Sequence, residues 1–213
     1  MEILVKDASK TIKRNLILNH VDLQLTGGMI YGLQGPNGSG KTMLMRLICG
    51  LMHPSSGSVW IDGKQLGKEI DFPESMGMML EGPAFLPNYT GLKNLQLLAA
   101  LKGKITDKDI CQTLTAVGLA PEDHRTYKKY SLGMKQRLGL AAAMMEKPDL
   151  LVLDEPSNAL DEAGVEQICD LIRKEKQRGA LVLLASHDAE ILESLSDEIY
   201  NIRAGSVTKK VQQ

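Results

Sequence analysis

The octapeptide Gly35-Pro36-Asn37-Gly38-Ser39-Gly40-Lys41-Thr42 constrains this chain more than any other stretch. It follows a short apolar run, MIYGLQ (29–34), and precedes a helical pattern over 42–48 that Gly50 closes. Strand, glycine loop and helix in that order form a phosphate-binding loop. The glycines let backbone N–H groups converge on phosphate oxygens without Cβ clashes. Lys41 is placed to reach the β- and γ-phosphates, and the Thr42 hydroxyl to bind Mg2+. Such a loop needs a carboxylate on the metal side, and LLVLDEP (150–156) offers one. Asp154, at the end of a buried run, is expected to orient the magnesium shell. Glu155 beside it is expected to take a proton from attacking water.

The rest of the chain alternates in a way that fits this loop. The first thirty residues read as strands, with Val21, Leu23 and Leu25 alternating against polar neighbours and Gly27-Gly28 marking a turn. SSGSVWIDGK (55–64) reads as a hairpin around Trp60, turned at Asp62-Gly63. From about 89 to 145 the pattern is helical. LLVL (150–153) and LVLLA (181–185) are continuous apolar runs, and between them Val165, Ile168, Cys169 and Ile172 stripe a helix. Buried runs alternating with amphipathic helices predict an α/β fold with a mostly parallel sheet. It carries an N-terminal antiparallel β subdomain and an inserted helical subdomain at roughly 89–145, within one domain spanning 1–213.

Composition narrows the function classes. Lys plus Arg is 25 against Asp plus Glu 26, so nothing points to nucleic acid as a partner. Cys49, Cys111 and Cys169 lack metal-ligand spacing and suit a reducing compartment. The longest apolar run is too short to cross a bilayer, and MEILVKDASK has no signal-peptide pattern. Eleven methionines against two phenylalanines suggest either gap-filling in the core or an adaptable surface around Met76, Met78 and Met79. The nearest approach to a guanine-reading motif, Glu146-Lys147-Pro148-Asp149, has Glu where Asn is required, so GTP specificity is unsupported.

Taken together, these segments resemble the nucleotide-binding domain of ATP-binding cassette (ABC) proteins over almost the whole chain. GPNGSGKT looks like Walker A and LLVLDEP like Walker B, with Glu155 as its catalytic carboxylate. SNALD (157–161) is similar to the D-loop through Asp161, and ASHD (185–188) carries the switch histidine, His187, expected at the γ-phosphate. YSLGMKQR (130–137) resembles the signature sequence, a second candidate anion site at a helix N-terminus. The resemblance implies a head-to-tail pair, in which Ser131, the Gly133 amide and a helix beginning near Met134 complete the partner's site. ATP closes such a pair and hydrolysis lets it open.

Three departures from the family pattern matter. Leu132 stands where glycine is usual and Met134 where glutamine is usual, a form similar to bacitracin and lantibiotic exporters. Glu81 occupies the glutamine position of the Q-loop, where it keeps an oxygen for the metal side but adds negative charge. Ile12 falls where an aromatic residue usually stacks on adenine, which predicts GTP competing within about tenfold of ATP.

The resemblance implies an Mg2+-dependent ATPase subunit of an ABC transporter, acting from the cytoplasmic face of the membrane through a separate permease. Export is the expected direction, and Pro83 to Leu98 is the expected docking stretch for the permease. The alternative is a soluble cassette ATPase, such as one serving Fe–S assembly.

Overall fold

The computed structural model describes residues 1–82 and 84–210. Two long strands, β1 (Glu2–Ile12) and β2 (Asn15–Thr26), form an antiparallel hairpin. Its tip, Lys13-Arg14, takes positive φ at both residues (46° and 69°), the handedness that matches the strand twist. β4 (Ser56–Ile61) joins the other side of β1, and the two-residue β5 (Lys64–Gln65) closes the sheet in the order β2-β1-β4-β5. The Asp62-Gly63 turn expected around Trp60 is present, with φ of 47° and 78°. β4 pairs antiparallel with β1 as well as with β5, so the hairpin around Trp60 is part of this sheet.

The second sheet runs β10-β9-β3-β8-β7-β6. Its members are β3 (Ile30–Gln34), β6 (Met76–Met79), β7 (Leu150–Asp154), β8 (Leu181–Ala185), β9 (Glu198–Arg203) and β10 (Ser206–Lys209). All neighbours are parallel except the edge pair β9–β10. Leu150–Leu153 and Leu181–Ala185 are fully buried, which is why those strands read as unbroken apolar runs. The expected architecture, a mostly parallel core with an antiparallel β layer, is the one found.

Helix α1 (Lys41–Ile48) packs between the two sheets, its Leu44, Met45, Leu47 and Ile48 in the core they share. On the opposite face lie α2 (Gly91–Lys102), α3 (Asp107–Ala116) and α4 (Leu132–Met144), joined by a 3-10 turn at Tyr127–Lys129. α5 (Glu162–Gln177) and α6 (Ala189–Leu195) complete that layer. Helix α3 starts in a capping box, Thr106 with Asp109, and its chain reverses at Gly118 (φ 80°), the expected stop. Tyr127 sits edge-on to Phe85 at 5.3 Å, and the Tyr130 hydroxyl accepts from the Gly91 amide at 3.2 Å. Of the methionines expected either in the core or on a surface, Met79 is buried, Met76 packs partly against the core and Met78 is exposed. No helix among the described residues is long and apolar enough to cross a membrane.

One consequence of this topology positions the site. Register pairs Leu33 with Ala185, Asp154 with Ala185 and Met79 with Leu153, so the C-terminal ends of four parallel strands finish level with one another. In open parallel sheets that edge is where ligands bind.

Candidate nucleotide-binding site

The loop leaving β3 turns tightly through Gly38 (φ 78°) and Gly40 (φ 113°), backbone that side-chain-bearing residues rarely adopt. A Cβ on Gly35 would lie 2.3 Å from the Ile202 carbonyl, so the first glycine is required by packing. Gly40 caps α1 without any side-chain hydrogen bond, which leaves the helix's first amides to other acceptors. Lys41 is only 7% exposed and donates to the carbonyls of Gly35 (2.6 Å) and Pro36 (3.3 Å). Among the described residues, the buried Ser39 hydroxyl has no partner. A buried cation resting on its own loop, an orphaned hydroxyl and an uncapped helix start together fit a polyphosphate.

From the end of β7, Asp154 accepts a hydrogen bond from Thr42 Oγ1 at 2.6 Å. Burial raises its pKa above the usual carboxylate range. The Thr42 hydrogen bond and Lys41 oppose that rise, while Glu155 adds to it. Hydroxyl and carboxylate side by side form an all-oxygen donor set that suits Mg2+. Glu155 follows at φ 52° and turns its carboxylate toward the end of β8. There it meets His187 Nδ1 (2.7 Å), the His187 amide (3.2 Å) and Ser186 Oγ (3.4 Å). The two residues expected to act at the γ-phosphate are thus a contacting pair, 32 positions apart in sequence.

Other expected residues fall around this centre. Ile12, at the hairpin tip, lines the same cleft of about 740 Å³ with Lys13, Asn15 and Ile17, and among the described residues no aromatic one lines it. Asn37 and Glu81 line it too, but the Glu81 carboxylate is held by Arg46 at 2.6 Å. Asp161 caps α5 through the Gly164 amide (3.1 Å) while remaining exposed, so a cap and an outward-facing carboxylate coexist.

Ser131 caps α4, accepting from the Met134 amide at 3.2 Å. The helix therefore begins at Leu132, two residues before the expected start near Met134, because the serine cap supports an additional half-turn. Leu132, standing where glycine was expected by resemblance, is 72% exposed. Gly133 packs against the loop after Glu155, where a Cβ would lie 2.8 Å from the Ala159 carbonyl.

Two residues near the centre escaped sequence reasoning. Arg46 pairs with a residue 35 positions away, and no local pattern announces that. Gln136 donates to the Glu155 carbonyl at 2.8 Å, and its only sequence signal is a polar residue on the buried side of an apolar helix.

A parallel sheet with a phosphate loop, a metal-side carboxylate and a partly enclosed cleft defines a nucleotide-binding ATPase domain. Residues 18–158 match the family model described as ABC transporter. The Bacillus subtilis (strain 168) "Uncharacterized ABC transporter ATP-binding protein YybJ" is 45% identical, over 91% of this chain and 88% of the relative. The lantibiotic transport ATP-binding protein SrtF of Streptococcus pyogenes is 34% identical, over 95% and 87%. The bacitracin transport ATP-binding protein BcrA of Enterococcus faecalis is 36% identical, over 97% and 68%. A solved dimeric ATP-binding cassette, described as a post-hydrolysis state bound to ADP and Pi, superposes with a TM-score of 0.89. It shares 23% identity, with 99% of each chain covered, and is similar in fold. The chain belongs to the ABC transporter family. It is an ATP-binding and ATP-hydrolysing component of such a transporter, in line with the transporter reading.

Proposed function

We propose that this chain is one nucleotide-binding domain, 1–213, that powers export of a peptide antibiotic or similar compound through a separate permease. The observation that carries the catalytic part is the convergence of Lys41, Thr42–Asp154 and Glu155–His187 at one level edge of the sheet. The residues of Gly35 to Thr42 cradle the triphosphate, with the Lys41 ammonium leaving its loop carbonyls for phosphate oxygens. Thr42 and Asp154 hold the metal, with Glu81 beside them once released from Arg46. Magnesium, when bound there, polarises the phosphate oxygens and offsets their charge. Glu155 takes a proton from the water that attacks the γ-phosphorus, and the bond to the ADP oxygen breaks. His187 holds the carboxylate on the side of the γ-phosphate. Ser131 and Gly133 at the start of α4, with Met134 and Asp161, face a second cassette and complete its site.

Family membership and likeness to antibiotic-transport relatives support the export reading. An apolar groove of about 580 Å³, which shares Glu81 and Gly82 with the nucleotide cleft and is lined also by Leu51, Met78, Phe85 and Leu98, supports docking on a permease. Leu86 (51% exposed) and Tyr89 (46%) are open in the expected docking stretch, whereas Phe85 is packed against Tyr127. This groove is the proposed seat of the permease, and cytoplasmic-face attachment through that permease is part of the same proposal. Pro83, the expected start of that stretch, lies outside the described residues.

The experiment is Glu155→Gln. Hydrolysis is expected to fall about 10²- to 10⁴-fold, the size of general-base assistance, with ATP binding retained. ATP and Mg2+ are then expected to trap a dimer on a sizing column. A monomer under those conditions refutes the shared site.

A further inference from the structure

Glu155 is an awkward residue to hold in place. Its φ of 52° is uncommon for any residue with a side chain, and it immediately precedes Pro156, a position biased toward extended backbone. Such a conformation persists only where surrounding contacts over-determine it. The Glu155 amide donates to the Ala185 carbonyl at 2.8 Å, which ties it to β8. Its carbonyl accepts from the Asn158 amide at 3.2 Å and, at a closer 2.8 Å, from Gln136 Nε2. Gln136 is 9% exposed and comes from α4, the helix that Ser131 caps.

Two further contacts join the same partners. Gly133 lies flat on the Ala159 carbonyl, and Ala159 itself has φ 62°. Arg137 reaches the Asp161 carboxylate at 3.8 Å while donating to Gln167 Oε1 at 2.6 Å. Helix α4 therefore grips the 155–161 loop at three places, and the Gln136 bond is the one that ends on Glu155 itself.

We propose that Gln136 is a positioning residue for Glu155: its buried amide holds the strained backbone that aims the carboxylate, and so ties that carboxylate to the helix start facing the second cassette. The inference rests on Glu155 acting as the base. It adds that the surface presented to one nucleotide and the carboxylate serving the other move as one piece within a subunit.

Gln136→Glu is the test, because it keeps size and polarity but presents carboxylate oxygens to the carbonyl. Gln136→Leu is its apolar counterpart. In both variants of the full chain kcat is expected to fall about ten- to hundred-fold, as for a misaimed catalytic group. KM for MgATP should stay within about three-fold, since the triphosphate cradle is untouched. Combined with Glu155→Gln, either substitution should add less than about two-fold, because nothing remains to be aimed. Wild-type kcat in both variants, beside an inactive Glu155→Gln protein, overturns this inference alone. Wild-type turnover in Glu155→Gln instead overturns the base assignment. If both Gln136 variants fail to fold, judged by thermal melting and nucleotide binding, Gln136 is a core residue and the inference is wrong.

Discussion

Helices α1 and α4 both start beside a glycine at the edge of the nucleotide cleft, yet their first turns are finished differently. At α1 the cap is Gly40, which has no side chain to give, and the amides are left for a ligand of the same chain. At α4 the cap is Ser131, whose hydroxyl already satisfies the Met134 amide. The first arrangement has no side-chain cap, whereas the second is satisfied by its own serine. Under the proposed function the first holds the chain's own phosphate and the second is presented to another molecule. The difference shows how one physical device, a helix N-terminus, serves as a resident binding site or as a presented surface according to its cap.

Removing the cation at the first helix is the most damaging way to sharpen that contrast. Lys41→Ala deletes a charge-assisted contact worth about 1.5–3 kcal/mol, so nucleotide titration should show affinity weakened by about 10- to 150-fold. Undiminished affinity would mean that the loop amides alone carry the triphosphate, and the contrast with α4 would weaken.

Ser131→Ala breaks the second helix's cap, at a cost of about 0.5–2 kcal/mol in stability. A lowered melting temperature should accompany weaker ATP-driven pairing measured on a sizing column. Loss of stability with pairing unchanged would reduce Ser131 to a cap and nothing more.

The base end of the cleft offers a gentler probe. Ile12→Tyr supplies a ring where, among the described residues, aliphatic and polar groups line the pocket. Ring stacking of about 0.5–1.5 kcal/mol predicts roughly two- to twelvefold tighter ATP binding in a competition assay. The unaltered protein should accept GTP within about tenfold of ATP, and a much stronger ATP preference would show that Asn15 or Lys13 already reads the base.

The smallest expected effect concerns Asp154 without nucleotide. Burial raises its pKa in the folded state, so the native protein holds the proton over a range where the unfolded chain has lost it. Stability from this group therefore falls as pH rises from the ordinary carboxylate value through the raised one. Asp154→Asn should melt higher than the parent near neutral pH, with the advantage shrinking as pH falls toward the acid range. An advantage independent of pH would place its origin in packing.

Much of this was legible in the chain itself. The buried strands announced themselves because both their faces are covered, which removes any alternation and leaves Leu150–Leu153 and Leu181–Ala185 uniformly apolar. Asp154 and Glu155 were legible because a strand end at the ligand edge puts adjacent carboxylates there. Helix α4 starts two residues before the expected Met134, because Ser131 caps it through the Met134 amide, and which residue caps a helix depends on backbone geometry as well as residue type. The Glu81–Arg46 pair was not legible, because a positive φ at Glu81 sends its side chain toward a helix 35 residues earlier.

Residue order alone determined the phosphate loop, the strand ends and the helical stripes, because backbone conformation and burial period are local properties of a few neighbouring residues. Which groups meet across the cleft was decided only when the sheet closed. Glu155 against His187, Thr42 against Asp154 and Gln136 beneath Glu155 all join segments that are remote in the chain. Their distances depend on strand register and helix packing, and no window of sequence contains either.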